Sequence, residues 1–423
     1  MVLAIASAGW VFDVFEGQIF GSCMNQALPA LLRGTGLEEH REFFINVGIA
    51  AFMAGGAVGG VLFGMMADRW GRRGTMAFTI LMYSLFTGVT YFAQTWWQLT
   101  ILRFFVGVGV GGEWAVAAAV VAEVFPPRAR PAASGIFHAS SVLGTFLAVA
   151  AGLFVVATRS DGWRWAFLLG VAPALLIFWV RISMREPETW HSARALAEAD
   201  TSRRLGRFAD LFSTPTLARH TLLATGLAII GLATFWGAHF RGKDLLRDAV
   251  ERLSDTSAFT SQGLAEHLQN YDMLGMFLAT AGGGLGLLSF APISQRLGRR
   301  RAFALFHVTG FGAVVLVYLL ADSVLGLIIS LPVFGFFTLG MHAGYAVYFP
   351  ELYPTRLRGT GTGFCFNAAR MIVVPVILGF GALQGPPLNL GRPAAMLILS
   401  SSFLVGLVLL VFAPETRGQP LPE

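Results

Sequence analysis

Charge is scarce in this chain of 423 residues: Asp, Glu, Lys and Arg together make 13%, where a soluble domain carries roughly 25%. Of its 30 basic side chains only Lys243 is a lysine, and the arginines form short clusters beside apolar runs, not one stripe, which excludes a nucleic-acid face. Cysteine is nearly missing. Cys23 and Cys365 both fall inside apolar runs, so neither a disulfide framework nor a thiolate zinc site is credible. The strict alternation of a membrane barrel strand is absent. So are a phosphate-binding glycine loop, a metal-ligand cluster and a hydrolytic triad, which argues against an enzyme, an ATP-driven pump or a bound cofactor. No basic segment precedes the first apolar run, which itself holds two acids, so no cleavable signal peptide is expected.

What the chain does have is apolar length. Hydrophobic residues make 55%, and glycine, at 50 residues, is about 12% against an average near 7%, as suits close helix packing in lipid. Runs long enough to cross a bilayer cover 4–31, 43–66, 75–94, 98–124, 132–157, 165–180, 220–240, 272–293, 302–321, 323–350, 360–384 and 393–413, predicting an all-α protein with twelve transmembrane helices. With both termini cytoplasmic, the cytoplasmic segments hold 19 basic residues and the opposite side 9, which favours that orientation in a plasma (inner) membrane. The polar, Arg-rich stretch 181–219 reads as a cytoplasmic linker between an N-terminal bundle, 1–180, and a C-terminal bundle, 220–423. Within the latter, 241–270 is a long outward loop. Its start puts Leu246, Val250 and Leu253 on one face opposite charges, as in an amphipathic surface helix or a lid.

The chain also repeats itself. Glu123–Arg130 aligns with Glu351–Arg358 at an offset of 228, and Gly71-Arg72-Arg73 with Gly298-Arg299-Arg300 and Pro187-Glu188-Thr189 with Pro414-Glu415-Thr416 at 227. That offset spans an even number of helices, so the halves have the same orientation: parallel repeats, a transporter architecture with its substrate site expected between them near the midplane.

On these segments a resemblance can be named. GMMADRWGRR at 64–73 resembles the loop signature of the major facilitator superfamily, and RFFVGVGVGGE from Arg103, AEVFPPRAR, FPELYPTRLRGTG and PETRG are similar to its other recurring segments. With FDVFE in the first span and FCFNAAR in the eleventh, the chain most resembles the proton-coupled metabolite and sialate symporters. The resemblance implies alternating access, a coupling role for Arg103, and an Asp68 contact with the start of the eleventh helix that holds the outward-open state.

Five ionisable residues lie well inside spans: Asp13, Glu16, Arg103, Glu113 and Arg370. Each costs about 2.5 to 3.5 kcal/mol at a helix centre, a cost that water, pairing or protonation must offset. Asp13 and Glu16, three residues apart, share a helix face, and two acids so close in a poorly solvated space cannot both ionise cheaply. That pair reads as a proton site, or else as substrate hydroxyl contacts or structural pairing. Arg103 and Glu113 stand about 15 Å apart along their helix and cannot pair with each other. Arg103 shares a face with Gly107 and Gly111, so a carboxylate from a neighbouring helix could reach it. Arg370, one turn beyond Asn367, offers a planar fork suited to a carboxylate, or to an acid across the halves. His342 and Tyr345 are further candidate substrate contacts.

Asp68, Arg69, Arg72 and Arg73, with Glu123 against Arg128 or Arg130 and Glu351 against Arg356 or Arg358, read as a cytoplasmic gate or as clusters that only set topology. The expected function is proton-coupled uptake of a small organic anion by a monomer whose partners are the bilayer, protons and a carboxylate substrate. A sugar-type facilitator or exporter with structural buried charges, and a membrane sensor on a transporter scaffold, are the alternatives.

Overall fold

The computed structural model describes residues 1–156, 158–200, 204–242, 244–253, 261–384 and 387–422, and among them all regular structure is helical. Among the described residues eleven helical stretches are long and apolar enough to cross a membrane, and the helix Arg358–Gln384 lies over the expected eleventh span, consistent with twelve in all. Their outward faces carry exposed Leu175, Phe178, Ile182, Leu222 and Leu319, a surface that suits lipid.

Local chemistry moves several boundaries. The fourth helix, Trp96–Val124, starts at a capping box in which Thr95 Oγ1 accepts the Gln98 amide at 3.4 Å and Gln98 Oε1 accepts the Thr95 amide at 3.2 Å. The sixth span is broken into Gly162–Leu169 and Ala174–Ser183 around Gly170 and Pro173, where proline cannot continue the ladder. The tenth is likewise broken, into Val324–Gly340 and His342–Tyr348. The eighth begins much earlier than 272, within Ser261–Leu297.

Glycine seams hold the helices together. A side chain at Gly55 or Gly59 of the second helix, Arg41–Trp70, would strike the carbonyls of Phe104 or Val108; one at Gly107 or Gly111 would strike those of Phe52 or Gly56. The same seam recurs at the repeat offset. Gly282 and Gly286 press on the carbonyls of Pro332 and Phe336, and Gly335 on that of Ala279. Without a hydrophobic drive between helices in lipid, backbone approach through small residues supplies the packing.

By packing, the chain forms two compact units: residues 1–225 with 346–371 and 418–423, and residues 226–345 with 372–417. The first includes the linker helix Glu188–Ala199. In the second, the outward element Asp244–Leu253 differs from a free surface helix: Leu245, Leu246, Ala249 and Val250 are buried and Leu253 is exposed. Arg392 anchors it through Asp244 and, at 2.7 Å, Asp248, and Arg252 reaches Asp322 at 3.1 Å. Lys243 and 254–260 of the expected loop 241–270 lie outside the described residues.

Candidate substrate and coupling site

Two polar assemblies occupy the first unit, one in the membrane span and one at the helix ends. At the helix ends the second helix stops at Gly71, whose φ of 105° a side chain would resist, and the third, Arg72–Val89, begins at once. Buried Asp68 accepts the amides of Gly359 (3.0 Å) and Thr360 (2.8 Å) and the Thr360 hydroxyl (2.7 Å), and pairs with Arg72 at 3.1 Å. An anion on the first amides of the helix Arg358–Gln384 is favoured by orphan donors and by the helix dipole. Arg72 grips Glu123 in a fork, Nη2 to Oε1 at 2.9 Å and Nε to Oε2 at 3.2 Å, and Arg358 Nη1 shares Oε1 at 2.9 Å. Arg358 also donates to the carbonyls of Pro350 and Pro422.

This corrects the expected pairings. Glu123 is held by Arg72 and Arg358, partners that the sequence reading did not pair with it; Arg130 Nε donates to the Ala122 carbonyl at 2.7 Å, and Arg128 is exposed beyond the turn at Pro126 and Pro127. Arg356 pairs at 2.5 Å with Asp210 of the linker, a partner 146 residues away, and Glu351 is buried in the short turn Phe349–Leu352. Linker contacts continue: Arg69 Nε donates to the Leu205 carbonyl, and Trp190 Nε1 to that of Asp68. Sequence reasoning missed Glu186, whose carboxylate accepts the amides of Arg72 (2.7 Å) and Arg73 (2.9 Å) at the start of the third helix.

In the span, Asp13, Glu16, Arg103 and Glu113 are all buried, and no carboxylate oxygen of Asp13 or Glu16 has a hydrogen-bond partner among the described residues. The two acids of the first helix, Val2–Leu32, have different neighbours. Asp13 has Glu113 and Arg370 as charged neighbours besides Glu16. Glu113 Oε2 accepts the Thr79 hydroxyl at 2.7 Å, while Oε1 presses on Gly9. The Arg370 guanidinium packs over Gly56 and lies 5.7 Å from the Phe366 ring centre, and its Nη1 is buried without a partner. Phe366 stacks on Trp114 at 4.0 Å. Trp114 in turn donates to His138 Nδ1 at 3.3 Å, which makes His138 a packing residue, and Trp10 donates to the His138 carbonyl.

Glu16 stands by Thr87 and Arg103. Arg103 Nη1 donates to the main-chain carbonyl of Glu16 at 3.2 Å, with no carboxylate ion pair of Arg103 among the described residues. Its guanidinium sits among three rings, Phe20, Phe52 and Phe167, at 5.3 to 5.6 Å. The expected approach of a carboxylate along the glycine face is replaced: Gly107 and Gly111 admit the second helix, and that helix brings Phe52. Asn367 spends its Nδ2 on the carbonyls of Gly111 (3.2 Å) and Gly363 (3.0 Å), leaving Oδ1 without a partner. His342 and Tyr345 lie in the second unit with rings 5.3 Å apart, and the Tyr345 hydroxyl donates to the Leu227 carbonyl at 3.0 Å.

Thr79, Trp10, Trp114 and the phenylalanine cage were not singled out from the sequence. In an apolar span an aromatic facing lipid and one facing a charge are written with the same letter. For Thr79 a signal existed, since a membrane-buried acid needs a donor and few hydroxyls are in reach.

A membrane-embedded helical protein with buried charges lining its interior and a charged clasp at its helix ends is of the transporter class. Residues 18–373 match the model of the Major Facilitator Superfamily, and the chain belongs to that family, whose members are transporters and not enzymes. It is 30% identical over 424 residues to the probable 4-methylmuconolactone transporter of Cupriavidus pinatubonensis, covering 97% of this chain and 89% of that protein. It is 27% identical over 409 residues to the sialic acid transporter NanX of Escherichia coli, covering 95% and 91%. Among solved structures, the proton:xylose symporter XylE superposes with a TM-score of 0.76 at 16% identity, over 99% of this chain and 97% of that one, which speaks for the fold alone.

Proposed function

We propose that the protein takes up a small organic carboxylate together with protons, by alternating access, as a monomer in the plasma (inner) membrane with both termini cytoplasmic. The observation that carries this reading is Arg370: a guanidinium with a buried, partnerless Nη1, set against the Phe366 ring and in the field of Asp13. A substrate carboxylate accepts from the Arg370 fork and packs on Phe366. Asp13, relieved of its cation, then takes a proton, so anion and proton bind together. Asn367 Oδ1 would accept from a substrate hydroxyl, and His342 and Tyr345 are the corresponding proposals in the second unit.

Glu16 is the second proton carrier, with Arg103 beside it. Arg103 held by π faces and a carbonyl, instead of a carboxylate, leaves Glu16 able to change protonation without breaking an ion pair. Glu113, steadied by Thr79, completes the coupling set. The repeat supports two six-helix bundles, 1–180 and 220–423, joined by the linker 181–219. Asp68, with Arg69, Arg72, Arg73, Glu123, Arg128, Arg130, Glu351, Arg356 and Arg358, forms the gate region that closes the cytoplasmic side. The named substrates of the relatives, a muconolactone and a sialic acid, support an acidic cargo.

The test is uptake into proteoliposomes of a panel of carboxylates, those two included, with and without an inward proton gradient. Accumulation should need the gradient. Asp13→Asn and Glu16→Gln should each abolish accumulation while sparing substrate counterflow. Gradient-driven accumulation unchanged in both variants and in the double variant would refute proton coupling at these acids.

A further inference from the structure

We infer that the second unit carries a binding site for an anionic phospholipid at the membrane boundary, between the start of the ninth helix, Arg299–Leu319, and the end of the last, Ser402–Phe412. A cavity of about 500 Å³ opens there, lined by Arg300, Arg301, Arg417, Glu415, Ala304 and Leu407 among others. Three guanidiniums and one carboxylate line it, and the carboxylate is already spent: Glu415 accepts the amides of Arg299 (2.9 Å), Arg300 (3.2 Å) and Arg417 (2.9 Å).

Two of the arginines are held by neutral groups. Arg300 donates from Nε to the Leu410 carbonyl at 3.0 Å and from Nη2 to that of Val411 at 2.9 Å; Arg417 Nη1 donates to the Arg296 carbonyl at 2.8 Å. Among the described residues no carboxylate forms an ion pair with Arg300, Arg301 or Arg417. Arg300 and Arg417 are therefore held in place with no carboxylate paired to them, and exposed Arg301 adds a third guanidinium, together a complement to a phosphate.

The rest of the cavity is apolar, and its wall runs on without a polar break into the exposed faces of the same two helices, through Val411 to Val408 and Leu404 on one side and to Leu305 and Val308 on the other. A soluble anion would use the arginines and leave that wall bare. A phospholipid uses both, phosphate on the guanidiniums and acyl chains along the helices.

The repeat adds an independent argument. The glutamate-capped helix start is present in both units, but Arg301 corresponds at the 227 offset to Gly74, and Arg417, two residues beyond the capping Glu415, corresponds to Glu188, two beyond the capping Glu186. Capping therefore does not require these two arginines.

The experiment uses the purified full chain in detergent, titrated with dioleoyl phosphatidylglycerol, dioleoyl phosphatidylcholine or inorganic phosphate, and read by native mass spectrometry for bound lipid and by melting temperature. Phosphatidylglycerol should add a bound lipid and raise the melting temperature; phosphatidylcholine and phosphate should do neither. The double variant R301A/R417A changes two exposed side chains, and should lose roughly 30-fold in phosphatidylglycerol affinity, about fivefold per arginine. Leu407→Trp, which fills the cavity with every arginine kept, should lose the lipid as well. Equal binding of both lipids, or R301A/R417A within about twofold of wild type, would overturn the inference. A melting shift with inorganic phosphate as large as with phosphatidylglycerol would make this a soluble-anion site and overturn the lipid assignment.

Discussion

The two units start their clasp helices in one way and then diverge. In the first, Gly71 (φ 105°) precedes a helix whose first amides rest on Glu186; in the second, Gly298 (φ 93°) precedes one whose first amides rest on Glu415. The glycine seams also match. Yet the span charges do not, nor does Asp68: at the 228 offset Arg103 corresponds to Leu331 and Glu113 to Met341, and at 227 Asp68 corresponds to Gln295. The buried ionisable cluster of the span, with Arg370, belongs to the first unit, while the second buries His239 and His307 among phenylalanines. In the spans, duplication has kept what closes helices on one another and has let go what binds charge.

The largest effect should come from breaking the buried clasp of the first unit. Glu123→Ala leaves the buried Arg358 without its carboxylate and Arg72 with Asp68 alone, and should cost about 3 to 5 kcal/mol of stability, read as a lowered melting temperature in detergent. The partly exposed pair Arg356–Asp210 gives the contrast: Arg356→Ala should cost below about 1 kcal/mol. Equal losses in the two variants would mean that burial does not decide the strength of these pairs.

Arg370 comes next. Arg370→Ala should weaken binding of a transported carboxylate about 10- to 150-fold, the loss expected for a charge-assisted hydrogen bond of 1.5 to 3 kcal/mol. Arg370→Lys should be nearly as poor, because an ammonium cannot reproduce the fork. Binding of the acid and of its amide to each variant is the measurement. If Arg370→Ala keeps the wild-type preference for the acid, the anion site lies elsewhere and the charge asymmetry of the units serves packing.

Gating should shift by a smaller amount. Asp68→Asn keeps one acceptor oxygen for the amides of Gly359 and Thr360 but loses the charge and the Arg72 pair, so the cytoplasmic-open population should grow. The Gln295→Asp change should alter it little. Labelling of a cysteine placed in the cytoplasmic cavity decides, and equal labelling before and after Asp68→Asn counts against the gate.

What could be read from the sequence, and what could not, divides along the same physical line. Spans, the repeat and the five span charges follow from local composition, because a charge in lipid is conspicuous wherever it stands. Partners are not local: Glu123 meets Arg358 across 235 residues and Asp210 meets Arg356 across 146, and nothing in either segment announces the other. The breaks in the sixth and tenth helices were hidden because glycine and proline are tolerated in membrane helices, and only packing decides where they bend. At its last anchor the repeat in sequence and the cap in structure fall on different residues. Pro187-Glu188-Thr189 aligns with Pro414-Glu415-Thr416, but the carboxylate that caps the third helix is that of Glu186.

That displaced register makes the finest prediction. If Glu186 and Glu415 are the equivalent caps, Glu186→Gln and Glu415→Gln should each cost about 0.5 to 2 kcal/mol, the range for losing a helix cap, and by similar amounts, since each carboxylate serves two successive amides. Glu188→Gln, which changes the residue aligned by sequence, should stay within about 0.5 kcal/mol of wild type, as exposed substitutions do. Glu188 begins the linker helix, where its charge favours the dipole but holds no other helix. Melting of the three variants side by side separates the alternatives. A loss at Glu188 matching that at Glu415, with Glu186 silent, would restore the sequence register and remove the cap from what the two units share.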